Sequence, residues 1–149
     1  MARLDYARYL LRYMLKLPEL RTETFSLLLA AGGDVPTVKL SGNGDAEAVS
    51  KLDWTLTQLH HKLLDASAHS VVVNLGDLYF MNSSCLKAFV AWIYKVRTAG
   101  NAYRIRLQLN PRQRWQRRGL EPLQRLAPAV VFLEEIKDES AEPSKAEGK

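Results

Sequence analysis

Apolar residues recur along this chain at two spacings, and the changes between them mark out the elements. Over residues 2–17, Leu4, Ala7, Leu10, Leu11, Met14 and Leu15 share one side of a predicted helix, with Asp5, Arg8, Arg12 and Lys16 opposite and Pro18 ending it. Residues 24–30 and 35–40 read as two short strands joined by a turn at Gly32-Gly33-Asp34. The run Ser41-Gly42-Asn43-Gly44-Asp45 then predicts a break in regular structure. Val49, Leu52, Leu56, Leu59 and Leu63 recur at three and four, which predicts a helix over residues 47–66 burying that stripe on a sheet. Trp54 and His61 lie off its centre. Burial on the flank is favoured for Trp54, an exposed partner anchor being the other reading.

Residues 71–75 (Val-Val-Val-Asn-Leu) are apolar almost throughout, the pattern of a central, parallel, covered strand. A helix over 84–99 follows, with Leu86, Phe89, Val90, Ile93 and Val96 as its buried stripe and Gly100 as its stop. Tyr103, Ile105, Leu107 and Leu109 then alternate with Arg104, Arg106 and Gln108, giving a strand with one wetter face. Asn110-Pro111 turns the chain into a helix over 112–126 that Gly119 and Pro122 are expected to divide. A last strand is predicted at 129–133. Alternation of strands and helices after residue 45 calls for right-handed crossovers and an α/β fold, its mostly parallel sheet packed by helices.

At 149 residues and 47% apolar content the chain can bury one domain-sized core. Cys85 is its one cysteine, which excludes an intrachain disulfide and suits a reducing cytoplasm. With three histidines beside it, no plausible zinc site forms. Arg3, Asp5, Arg8 and Arg12 interrupt any signal-peptide core, and no apolar run is long enough to span a bilayer. A cytoplasmic protein is expected. The basic, amphipathic first helix keeps peripheral membrane contact open, although docking on the domain or on a second subunit, as in a homodimer, is the favoured reading.

The net charge of +5 is unevenly placed. Residues 95–125 hold nine basic side chains (95, 97, 104, 106, 112, 114, 117, 118 and 125) against Glu121, whereas residues 22–94 are acidic on balance. Nucleic-acid binding would run through Arg112, Arg114, Arg117 and Arg118 and be strongly salt-dependent. It is not favoured, because aromatic–basic interleaving and any zinc-finger or winged-helix signature are missing. From Glu134 onward acids dominate and nothing after Ile136 is apolar and larger than alanine, so the end reads as a polar, solvated tail.

The chemistry concentrates at Met81-Asn82-Ser83-Ser84-Cys85, a polar interruption between strand and helix. Serine hydroxyls in such a place accept a phosphoryl group, bind one, or cap the helix, as Ser83 or Asn82 would. A phosphoryl group would set about two negative charges beside Tyr79, Phe80 and Met81 and alter docking without refolding. Cys85 is either a thiol activated by the helix start or a small core residue, the second being favoured. Catalysis is not indicated. Gly-x-Ser-x-Gly is absent, nothing ties His60, His61 or His69 to the serines, and Asp77 is a lone carboxylate with no glycine-rich phosphate cradle. No cofactor or metal is expected.

Residues 71–133 resemble the STAS domain, the module of anti-sigma factor antagonists and related bacterial adaptors. The resemblance rests on the strand Val71-Val72-Val73-Asn74-Leu75, on Phe80-Met81-Asn82-Ser83-Ser84-Cys85-Leu86 where the family has Asp-Ser-Ser-Gly-Leu, and on the turn Thr98-Ala99-Gly100. Asn110-Pro111, the arginine-rich helix and Gly119-Leu120 continue it, and Val38-Lys39-Leu40-Ser41-Gly42 looks like the family's early strand and turn. It implies a STAS-like domain over residues 22–136, an N-terminal helical extension over 1–21 and a polar tail over 137–149. It further implies a non-catalytic binding module whose protein partner is a serine kinase acting as the anti-sigma factor. By position the phosphoacceptor would be Ser84, on a docking face of Phe80, Met81, Asn82, Ser83, Ser84, Cys85 and Lys87. Asn82 replaces the family's aspartate and Cys85 its glycine. These departures, with the first helix, favour an alternative: a constitutive accessory subunit of a lipid-transport ABC complex at the membrane.

Overall fold

The computed structural model describes residues 20–30 and 35–137. The helix expected over 2–17, the turn at Gly32-Gly33-Asp34 and the tail from 138 lie outside the described residues. Among the described residues six strands and three helices follow in the order β1 (Leu20–Arg21), β2 (Phe25–Ala30), β3 (Thr37–Gly44), α1 (Ala46–Asp65), β4 (Ser70–Met81), α2 (Ser83–Thr98), β5 (Arg104–Leu109), α3 (Arg114–Leu126) and β6 (Val131–Glu135). The strands form one sheet in chain order. Its first two pairings are antiparallel and the remaining three parallel, the mixed α/β architecture that the alternation predicts.

Each element turns its apolar period inward. Leu27, Val38, Leu40, Val71, Val73, Ile105 and Leu107 project from the strands into one core, where they meet Leu52, Leu56, Leu59 and Leu63 of α1. Helices α1 and α2 pack against each other over it. The buried side of α2 is rotated from the expected stripe: Cys85, Ala88, Phe89, Trp92, Ile93 and Val96 are buried, with Leu86 and Val90 at the margin.

Trp92 is absent from the predicted stripe because its depth depends on a distant partner. Its Nε1–H donates to the Tyr103 hydroxyl at 2.8 Å, and that hydroxyl lies 2.6 Å from Nδ1 of buried His60. An indole N–H only donates, so the phenol accepts there and keeps its own hydrogen for Nδ1 when neutral His60 carries its proton on Nε2. Burial first, then the positive charges of His61 and Lys95, hold the His60 pKa below its ordinary value. The unfolded chain therefore takes up this proton before the folded one does. The stability it contributes is complete above about pH 6.5 and is lost as pH falls toward the folded value. Urea midpoints are expected to drop between about pH 7.5 and 5.5. In H60Q, which keeps an acceptor for Tyr103 but does not titrate, they should vary less. Equal slopes would place the proton elsewhere.

Several elements depart from the sequence expectations for identifiable reasons. Strand β3 does not break at Ser41 but continues bulged to Gly44, its register to β4 shifting between Lys39 and Ser41 and again between Gly42 and Asn43. Strand β4 runs on through Gly76 and Asp77 to Met81. Helix α3 is continuous across Gly119 and Pro122, with Pro122 on its exposed side, where its ring meets no packed neighbour element among the described residues. Strand β6 lies two residues later than predicted. Glu134 and Glu135 belong to it rather than to a tail, and are held by Arg106 at 2.7 Å and Arg117 at 3.3 Å. Trp54 is 53% exposed, not buried on the flank of α1. No helix among the described residues is long and apolar enough to cross a membrane.

Candidate functional site

Strand β4 is longer than its partner β5, and the overhang builds the site. Pairing with β5 stops at Asn74, so beyond it the β4 backbone needs other partners. Side chains supply them. Gln116 of α3, fully buried, donates from Nε2 to the carbonyls of Leu75 and Leu78 at 2.8 and 2.9 Å. Its Oε1 accepts the Asn110 backbone N–H at 2.7 Å, and Asn110 Nδ2 donates to the Gly76 carbonyl at 2.8 Å. Along the other edge β3 keeps pace, pairing Gly42 with Leu78, Asn43 with Phe80 and Gly44 with Met81. The Asn82 N–H closes this edge by donating to the Gly44 carbonyl at 2.8 Å. The chain then turns into α2 with one residue between strand and helix.

That residue decides which side chain caps. Asn82 is in the extended region (φ −78°, ψ 171°), and its Oδ1 accepts the Cys85 N–H at 2.8 Å. The cap is thus taken, and Ser83 and Ser84 occupy the first two helical positions, both exposed. Neither hydroxyl has a hydrogen-bond partner among the described residues. Their own backbone N–H groups are among those that a helix start leaves unpaired. No acidic side chain lies in the first turn, and Lys87 is exposed one turn on; the helix start favours an anion at this end, while the Asp45 carboxylate beside Cys85 opposes one.

The expected docking face divides. Phe80, half exposed, is open with Ser83, Ser84 and Lys87; Asn82 is half-buried in its capping role. Met81 and Cys85 turn into the core, a correction to their expected place on the face. The Cys85 Sγ lies 3.9 Å from the Asp45 carbonyl, and a Cβ on Gly44 would come within 3.3 Å of it. A residue larger than glycine is accommodated here because Gly44 leaves it room. Burial, seconded by the Asp45 carboxylate, pushes the thiol pKa up, so the activation a helix start could give does not prevail. That carboxylate accepts the Thr24 hydroxyl at 2.7 Å, which lowers its own pKa.

Tyr79, at 54% exposure and beside the serines as the sequence places it, and the buried Gln116, which the serine motif does not mark, complete the arrangement. The signal for Gln116 is its spacing to Leu120 and Leu123, which makes it a polar residue inside an apolar stripe. Among the described residues no group of histidine, cysteine, aspartate or glutamate is placed to hold a metal.

No family model matches the chain, and no curated protein does. Solved structures do. An anti-sigma factor antagonist from Mycobacterium paratuberculosis is similar at 17% identity and a TM-score of 0.55, over 84% of this chain and 97% of that one. The anti-sigma factor antagonist SpoIIAA in its unphosphorylated form is similar at 14% identity and a TM-score of 0.49, over 83% of this chain and 99% of that one. The Bacillus cell fate determinant SpoIIAA in its phosphorylated form is similar at 18% identity and a TM-score of 0.48, over 79% and 97%. The first of these carries the fold assignment: the chain has the STAS-like fold of anti-sigma factor antagonists.

Proposed function

We propose that this chain is a non-catalytic, protein-binding regulatory module of the anti-sigma factor antagonist kind, switched by phosphorylation of Ser84. The supporting observation is the division of labour at the start of α2: Asn82 caps the helix, which leaves the Ser84 hydroxyl exposed and unpaired. The docking face comprises Phe80, Asn82, Ser83, Ser84 and Lys87, together with Tyr79. The partner is a protein, a serine kinase that is also the anti-sigma factor. In the unmodified state the exposed rings of Tyr79 and Phe80 supply apolar contact. A phosphoryl group on Ser84 would carry about two negative charges. The free helix amides would stabilise it, and a partner burying the adjacent rings would have to desolvate it.

Incubation with the kinase and ATP, followed by phosphosite mapping, is expected to place the phosphoryl group on Ser84 and to fail with Ser84→Ala. In capture experiments Ser84→Ala should hold the partner, and Ser84→Asp should hold it about tenfold more weakly. An unmodified Ser84 together with equal capture by Ser84→Asp overturns the switch. A second reading, a constitutive accessory subunit of a membrane lipid-transport ABC complex, is favoured by the uncharged cap at Asn82. It predicts copurification with membrane components regardless of the residue at position 84.

A further inference from the structure

On the α3 side of the site, where β4, β5 and β6 end, lies an open cleft of about 800 Å³. Met81, Leu86 and Leu109 give it apolar walls, and Arg114, Trp115 and Arg118 of α3 line it too. Open α/β sheets bind ligands outside the carboxyl ends of their parallel strands, and this cleft has that position and a ligand-sized volume.

Two of its basic side chains are left without a partner among the described residues. Arg114 and Arg118, one helical turn apart and exposed, have no ion-pair or hydrogen-bond partner among the described residues. Arg117 is already engaged by Glu135, the one acid in the wall among the described residues. Trp115 has a buried indole N–H with no acceptor among the described residues, an uncommon state for a buried donor. Its ring lies against Gly119, where a Cβ would come within 3.3 Å of it, so the missing side chain lets the indole lie along α3. Two exposed guanidinium groups without acceptors among the described residues, beside apolar walls, describe a ligand that is anionic at one end and apolar at the other.

We infer that this cleft binds a small amphiphilic anion, an organic phosphate or carboxylate whose charged end takes Arg114 and Arg118 and whose apolar body lies against Leu86 and the Trp115 ring. The inference is independent of Ser84 phosphorylation, and its test reads neither that residue nor a protein partner.

Phenyl phosphate is the probe. Proton–nitrogen correlation spectra of the full chain carry indole N–H signals from Trp54, Trp92 and Trp115, and W115F assigns the last. Phenyl phosphate is expected to move the Trp115 signal saturably with a Kd of about 1 mM or below, leaving those of Trp54 and Trp92 in place. Replacing Arg114 and Arg118 together by alanine should weaken binding about tenfold or more. Arg125→Ala, at the far end of α3, should not change it. Inorganic phosphate and benzyl alcohol, each carrying half of the chemistry, should bind about tenfold more weakly than phenyl phosphate. No shift of Trp115 at about 10 mM, or the same affinity in the double variant, overturns the site. Inorganic phosphate binding as tightly as phenyl phosphate overturns the assigned ligand class.

Discussion

Gln116→Leu is expected to destabilise the fold by about 4 kcal/mol, because it orphans two carbonyls and one amide at about 1–3 kcal/mol each and water must enter to recover part of that loss. The side chain is fully buried and bonded at 2.7, 2.8 and 2.9 Å, so leucine keeps the volume and deletes the polar contacts alone. A neutral hydrogen bond between exposed groups would matter far less. Here one amide holds the overhanging end of β4 where β5 cannot. The damage should also be local before it is global. Backbone amides of residues 82–86 are expected to exchange faster in the variant than those of β5, since the strand leading into α2 loses its lateral support. Urea unfolding and hydrogen exchange check both parts. A loss below about 1 kcal/mol would mean that ordered water substitutes fully for the amide.

Much of this architecture is legible from residue spacing. The stripe of α1 buries Leu52, Leu56, Leu59 and Leu63, with Val49 at its margin, and the alternation of β5 buries the residues the pattern names, because both elements face one core with one side and water with the other. Where a residue's environment comes from a distant segment, spacing is silent. Trp92 goes inward because Tyr103 offers an acceptor, and Cys85 because Gly44 offers space. Strand β4 passes through Gly76 and Asp77 because Asn110 and Gln116 replace the missing ladder. At the candidate site the serine pair is visible in sequence, but its availability is not. Capping by Ser83 and capping by Asn82 are equally consistent with the string of residues. The fold decides between them by drawing Asn82 into the extended conformation beside Gly44.

Gly42→Ala should cost about 3 kcal/mol, for two reasons that add at one atom. The residue has φ +91°, which an L side chain rarely adopts, and its added Cβ would lie 2.0 Å from the Thr24 carbonyl oxygen. That oxygen cannot retreat cheaply, since it accepts the Asn43 N–H at 2.7 Å and belongs to the turn entering β2. Gly44→Ala makes the informative contrast. Its Cβ would meet the Cys85 Sγ at 3.3 Å and Met81 at 3.4 Å with no positive φ, so a loss of about 1 kcal/mol is expected, recovered in part when Cys85 is also alanine. Thermal unfolding of the three variants separates backbone strain from crowding. If Gly42→Ala proved as mild as Gly44→Ala, the bulge would be soft rather than fixed. A soft bulge would undermine the site as well, since the turn at Gly42 is what brings Asn43 and Gly44 level with Phe80 and Met81 and lets the Gly44 carbonyl hold Asn82 at the helix start.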